Sequence, residues 1–592
     1  MNTHAAARLA VLGAVLAAAL GVGVRAQQPS IDRFFDRFTD EWMRLHSDDA
    51  AASRYFTGTE QDRVERQLVP QTLAYQRERV RLARRGLDDL KTFYRARLTP
   101  QQRVSAELME WQLDTVVRGE RFLDLAFPLE QFNGANITLV NTLTVQHALR
   151  TGQDADNYLA RLALVGPRMG EAVAEARRVA AQGSVPPRFI LEATIRQMEQ
   201  FVGAPAAENP LVTSLERLAA GKVVAEPRRA ELKAAAEQIV ASQVYPAWKT
   251  ALSLLREQLP LAVNDAGITG LKDGAAAYAY HLARFTSTAL TAEQIHQIGL
   301  REVARIEKEM DAIFDRLGRT QGSVKERVER LRKDQAYPLT PEGRAAIMRD
   351  IDGMIRDSKR RSTQLFNRVP KALVIAQPYP EFRWPNAAAS YTAPPLDGSR
   401  PGIFQMPLRP DQMTRFRLRS LVNHETVPGH HYQIALIGED ASLPRFRQIR
   451  AFGGISAISE GWALYAEQLA AESGWYQGDD EGRLGQLYSA LFRARRLVVD
   501  TGLHTKGWTR QQAIDYGIEP SEVERYVVNP GQATAYMIGQ LELVELREKA
   551  RAALGPRFSL RAYHDVVLAS GVVPLHILEA QVDEYIRSAA TR

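Results

Sequence analysis

Apolar residues recur at helical spacing along most of this chain, with Ala, Leu, Glu and Arg dominating the stretches that carry the pattern. These are strong helix formers, so the spacing and the propensities agree on a mainly α fold. Ile31 to Leu45, Gln71 to Thr92, Pro100 to Leu125, Asp156 to Gln182 and Pro227 to Glu257 are the clearest helical stretches. Helix starts are marked by Thr followed by Pro or Ala, as at Thr99-Pro100, Thr291-Ala292-Glu293 and Thr340-Pro341-Glu342. A threonine there offers its hydroxyl to the unpaired amides of the first turn, and proline has no amide to leave unpaired.

Two regions break the pattern. Leu259 to Gly274, with Pro260, Gly267, Gly270 and Gly274, reads as a link between helical halves. Val369 to Pro410 holds nine of the 29 prolines. Within it, Ala389 to Ala393 and Gly402 to Met406 read as short strands joined by a turn at 396–399. The expected organisation is an N-terminal helical lobe over 27–260 and a second lobe over 261–592, with a small β-element at about 369–410. Residues 1–26 stand apart. Arg8, the apolar run Leu9 to Val24 and the small-x-small site Val24-Arg25-Ala26 read as a signal peptide, leaving Gln27 as the mature start. The expected location is therefore periplasmic or secreted, with no stable membrane insertion after cleavage.

There are no cysteines, which excludes thiol catalysis, disulfides, cysteine metal ligands and a lipid-bearing cysteine in this sequence. The formal net charge is +7. Basic and acidic residues alternate along helices, as in Arg301 to Glu309, which describes solvated faces and argues against a nucleic-acid partner.

The densest chemistry lies in His424-Glu425-Thr426-Val427-Pro428-Gly429-His430-His431, which holds three of the eleven histidines. Imidazoles bind zinc, and a neighbouring carboxylate can take a proton from metal-activated water. In an unbroken helix, His430 and His431 would stand about 9 and 10.5 Å further along the axis than His424, too far to share an ion. Pro428 cannot continue the hydrogen-bond ladder and Gly429 tolerates unusual dihedrals, so the helix should break after Val427 and bring a later histidine back. Removing Pro428-Gly429 restores His-Glu-Thr-Val-His, which favours His430 as second ligand and keeps His431 as the alternative. Glu460, near the start of an apolar helical segment, is the candidate third ligand; Glu467, roughly on the same face, is a supporting acid or alternative ligand.

Together with Glu460-Gly461-Trp462-Ala463-Leu464-Tyr465 and Asp500-Thr501-Gly502-Leu503-His504, the histidine stretch resembles the bacterial family called domain of unknown function 885. That family is regarded as part of a zinc-peptidase superclan. More distantly the order of motifs is similar to angiotensin-converting enzyme, thimet-type oligopeptidases and carboxypeptidase Taq. The resemblance implies a two-lobed helical zinc-peptidase-like fold with a deep cleft, a single zinc ion on His424, His430 and Glu460, and Glu425 as general base. Gly531 to Gly539 is similar to a tyrosine-bearing segment of carboxypeptidase Taq, which implies Tyr536 near the scissile carbonyl. The chain departs from these relatives in its two-residue insertion and in having Leu464 where an acid often follows the glutamate ligand.

The expected activity is zinc-dependent cleavage of small peptides, of carboxypeptidase, dipeptidase or oligopeptidase type. His504 is a candidate to assist the oxyanion, and Arg496 to hold a substrate carboxylate. The strand Gly402 to Met406 is a candidate to pair with an extended substrate, with Phe404 and Tyr391 as substrate contacts. The competing expectations are an exported binding protein without catalysis and a zinc amidase acting on non-peptide acyl groups.

Overall fold

Helix starts follow their caps. The Thr99 hydroxyl accepts from the Gln102 amide at 3.2 Å while the Gln102 side chain accepts from the Thr99 amide at 3.0 Å, and a helix begins at Pro100. Thr291 and Gln294 repeat this reciprocal pair, and Thr340 caps a helix beginning at Pro341. The computed structural model describes residues 30–591 except 95–97, 221–222, 380, 382–383, 385–387, 397, 399 and 411. The expected signal peptide, residues 1–26, lies outside the described residues, as do two positions of the expected turn at 396–399.

Among the described residues the architecture is mainly helical with one small sheet. The stretch expected over Pro227 to Glu257 is helical but widens by one residue per turn at Val240–Val244. Pro246, just beyond, has no amide to donate, and the wider turn absorbs the missing bond. The stretch from Pro100 likewise tightens into a 3-10 turn over Glu120–Leu125.

The helices that build the site are labelled in chain order: α1 Ala292–Arg316, α2 Arg415–Glu425, α3 His430–Glu439, α4 Ser456–Glu472, α5 Asp480–Thr505, α6 Pro520–Val528 and α7 Ala535–Leu554. α5 runs through their centre, packed on α1 and α2, while α4 packs along α7. Glycines permit these close approaches. A Cβ on Gly485 of α5 would lie 1.7 Å from the Phe416 carbonyl oxygen of α2. One on Gly539 of α7 would lie 1.8 Å from the Ala457 carbonyl oxygen of α4, and one on Gly461 would lie 2.5 Å from Gly539. The largest hydrophobic core combines Ile31 to Leu113 with Ile268 to Val582, whereas a second core gathers residues between Leu68 and Ala262.

The sheet has strand order β1-β3-β2, with β1 Val374–Pro378, β2 Ser390–Thr392 and β3 Gly402–Met406. β1 pairs parallel with β3 from Val374–Gly402 to Pro378–Met406, and β2 pairs antiparallel from Ser390–Gln405 to Thr392–Ile403. β2 and β3 fall within the expected strands; β1 was not foreseen. Because β3 is central, both of its edges are occupied, and it cannot accept an added substrate strand. Phe404 is fully buried in a core with Ile347, Ile351, Leu418 and Val422. The expectation that β3 and Phe404 meet substrate is therefore corrected: β3 supports the underside of α2.

Candidate metal centre

α2 carries His424 and Glu425 in its last turn, and the backbone then leaves the helical path. Thr426 has φ −115° and ψ −107°, the Val427–Pro428 bond is cis, and Gly429 leads into α3 at His430. The break comes after Glu425, two residues earlier than expected: Thr426 is already off the helical path, and Val427 is kept out of it by the proline that follows. Gly429 is required for space. A Cβ there would lie 1.9 Å from the His424 carbonyl oxygen and 2.4 Å from that of Asn423. From α4, the Trp462 indole donates to the Pro428 carbonyl at 2.9 Å and ties the turn to the helix that bears Glu460.

The turn brings His430 back to His424, with ring centroids 4.9 Å apart and planes at 84°. Nε2 of His424 and Nε2 of His430 both face Oε2 of Glu460, at 3.5 and 3.3 Å. These separations are longer than charge-assisted hydrogen bonds, which run at about 2.7–2.9 Å. They match the edges of a tetrahedron instead: zinc bonds of about 2.1 Å place neighbouring ligand atoms roughly 3.4 Å apart. Two imidazoles and one carboxylate form a donor set suited to zinc, and three protein ligands are the number a catalytic site uses.

Glu467 supports this set from behind. It is fully buried, with Oε1 2.8 Å from His424 Nδ1, and its other oxygen accepts from the Ser420 hydroxyl. An acceptor on that side fixes a proton on Nδ1 and turns Nε2 toward Glu460. It fills the role that Leu464 cannot. Burial alone would lower the His424 pKa, but Glu460 and Glu467 raise it to about 10. Burial would likewise raise Glu460, yet His430 and His424 hold it well below the usual range. Two carboxylates around two imidazoles thus call for positive charge between them, from protons or from a divalent cation that displaces them. Glu425 is buried, which raises its pKa.

His431 faces the other way. Its Nε2 donates to the Ala372 carbonyl at 3.1 Å and its Nδ1 accepts from the Tyr391 hydroxyl at 3.0 Å. Burial lowers its pKa to about 4, so it is a neutral brace between α3 and the sheet region. Of the two histidines left open by the sequence, His430 is the one that meets His424 and Glu460.

His424, Glu425, His430, Glu460, Tyr536 and Arg496 all line one cavity of about 490 Å³. Tyr536 receives a hydrogen bond from Arg525 at 3.3 Å, and the Arg496 guanidinium lies 4.5 Å from its ring centroid. Tyr391 is on the cavity wall with its hydroxyl committed to His431. His504 is a correction. It is fully buried away from the cavity, accepting from the Ile268 amide at 3.1 Å and donating to the Tyr526 carbonyl at 3.1 Å. With both nitrogens bonded to backbone it is a structural strut and has no free atom to offer an oxyanion. Sequence reasoning quoted Trp462 without giving it a task and did not single out Ser420; both act through groups distant in sequence.

A family model described as "Bacterial protein of unknown function (DUF885)" matches residues 53–582. The crystal structure of a "putative lipoprotein" from Colwellia psychrerythraea is similar over 94% of this chain and 100% of its own, with 30% identity and a TM-score of 0.88. A second structure, a "putative lipoprotein of unknown function" from Shewanella oneidensis, covers 93% of this chain and 99% of its own at 19% identity and a TM-score of 0.69, a likeness of fold. No curated protein matches the chain significantly.

Proposed function

The chain belongs to the bacterial family of unknown function DUF885, and we propose that it is a zinc-dependent hydrolase of peptide bonds in small peptides. The observation that carries this reading is the convergence of His424 and His430 on one oxygen of Glu460, at 3.5 and 3.3 Å, with Glu425 on the same cavity wall. His424, His430 and Glu460 would hold a zinc ion, which would supply Lewis acidity to the site. Glu425 accepts the proton of the attacking water and returns it to the leaving nitrogen as the carbon–nitrogen bond breaks. The Tyr536 hydroxyl, held by Arg525, donates to the carbonyl oxygen as charge develops there. Glu467 keeps the His424 ring in its ligating orientation.

Room for a peptide supports the same reading. A second cavity of about 940 Å³ adjoins the first, with Ile434 and Arg450 lining both. Strand β2 lies at the sheet edge, and Ser390 and Tyr391 border the metal-site cavity, so β2 takes the substrate-pairing role first expected of β3. An exported location is supported by the apolar segment Leu9 to Val24 and by the description given to the two solved relatives. Among the described residues no helix is long and apolar enough to cross a membrane.

Zinc analysis combined with hydrolysis of a peptide library tests the proposal. Glu425→Gln should retain zinc and lose turnover by about 10²–10⁴-fold. Protein that takes up no zinc on reconstitution refutes it.

A further inference from the structure

Among the described residues that line the metal-site cavity, Arg417, Arg493, Arg496 and Arg525 stand with the acids Glu425, Glu460, Glu467 and Glu522. Glu460 and Glu467 are engaged with the histidines, and Glu522 pairs with Arg496 at 2.8 Å and Arg525 at 3.4 Å. Arg493 and Arg417 form no ion pair among the described residues. Arg493 donates to the Ser489 hydroxyl at 2.5 Å, and Arg417 lies over the Tyr488 ring at 4.8 Å.

Helix geometry sets these groups on the walls of the one cavity. Arg417 precedes His424 by seven residues, about two turns, and so shares its face of α2. Arg493 and Arg496 are neighbours across one turn of α5, which presses against α2 where Gly485 meets Phe416. Arg496 is only 4% exposed. Its Nε donates to the Tyr526 hydroxyl at 2.9 Å and its Nη2 to Glu522 at 2.8 Å, but its Nη1 is buried with no partner among the described residues. A buried cationic donor without an acceptor, in the wall of a cavity, is where an acceptor from a ligand belongs.

We infer that Arg493, together with the unpartnered Nη1 of Arg496 and with Arg417 behind them, binds a carboxylate of the substrate. Peptides that present a carboxylate beyond the scissile bond are then the substrate class of the hydrolase proposed above. What is cleaved rests on that proposal, whereas the anion site does not depend on the metal. Guanidinium groups meet carboxylates in paired, planar hydrogen bonds, and the positive charge of Arg493 and Arg417 draws an anion to this part of the wall. The carboxylate is either the C-terminal group or an acidic side chain.

Calorimetric binding to full-length, zinc-loaded Glu425→Gln protein tests the inference with three peptides: Ala-Ala-Ala, its C-terminal amide, and Ala-Ala-Glu amide. The expected result is that Ala-Ala-Ala binds at least 10-fold more tightly than its amide. Recovery with Ala-Ala-Glu amide would extend the site to side-chain carboxylates, and no recovery would restrict it to the C-terminus. Arg493→Met should abolish the preference for acid over amide, and Arg493→Lys should restore part of it. Equal binding of Ala-Ala-Ala and both amides overturns the inference without recourse to any arginine variant. So does an Arg493→Met protein that keeps the full preference. If Glu425-intact, zinc-loaded protein binds the carboxylate selectively but cleaves nothing, the hydrolase reading fails and the anion site stands. If it cleaves acid and amide alike, the reverse holds.

Discussion

Replacing Gly429 by alanine places a methyl group where two backbone carbonyls already stand. The added Cβ would lie 1.9 Å from the His424 oxygen and 2.4 Å from the Asn423 oxygen, while real Cβ contacts essentially never fall under 3.0 Å. The turn must open by roughly 1 Å, and because the obstruction is backbone, no rotamer change relieves it. Overpacking of this kind costs about 1–3 kcal/mol. The larger effect falls on the ligands. The blocked carbonyl belongs to His424 and the next residue is His430, so the displacement is transmitted to both rings, whereas metal–ligand distances tolerate only about 0.2 Å. Zinc affinity, measured by competition with a chelating dye, should fall by at least about 10–100-fold, comparable to loss of a supporting partner. The melting temperature should fall in parallel. Gly454→Ala is the control: nothing lies within 4 Å of its Cβ position, and it should stay within about 0.5 kcal/mol of the parent. A Gly429→Ala protein that binds zinc as tightly as the parent refutes the argument that this turn sets the ligand geometry.

Glu467→Gln removes the charge that orients His424 Nδ1, and zinc affinity by the same competition assay should weaken by about 10–100-fold; unchanged affinity would show that Glu467 is only a packing acid. Phe404→Ala empties a fully buried site under α2 and should cost about 3–5 kcal/mol in urea unfolding, with acid-over-amide peptide preference retained; a selective loss of peptide binding at unchanged stability would return Phe404 to the substrate. Burial lowers the His504 pKa from 6.5 to about 4. The folded protein therefore holds His504 neutral while the unfolded chain protonates it below 6.5, so its stability contribution is present above that pH and is lost as pH falls toward 4. At pH 5 the loss is about 2 kcal/mol. The stability difference between pH 7 and pH 5 should shrink by about that amount in His504→Gln, and an unchanged difference would contradict a buried neutral imidazole.

Much of the local structure was legible because its causes are local. Thr99, Thr291 and Thr340 cap the helices they precede, since the capping groups lie within three residues. Pro428 and Gly429 announce a break for the same reason, and the break gathers His424 and His430 around Glu460. What could not be read depends on partners far along the chain. β1 finds its parallel partner β3 across an intervening strand, and nothing in Val374 to Pro378 names that partner. The centrality of β3, which buries Phe404, follows from that pairing. In sequence His504 reads as a partner for an oxyanion, but its bonds go to the backbones of Ile268 and Tyr526. Arg496 and Arg493 are alike in sequence; only Glu522, brought in by α6, neutralises one and not the other.

The glycine seam between α4 and α7 bears on how this site can move. Gly461 follows Glu460 directly, and Gly539 comes three residues after Tyr536. With backbone against backbone at that point, no side chain lies between the helices to rearrange, and the two functional groups travel together as one rigid body. Hinge motion then falls to elements outside such glycine contacts, of which the sheet edge at β2 borders the cavity. In the proposed hydrolase, closure there would bring a substrate toward a site that is already set. Amide exchange should therefore be slow along the α4–α7 seam, and binding should slow it first at β2.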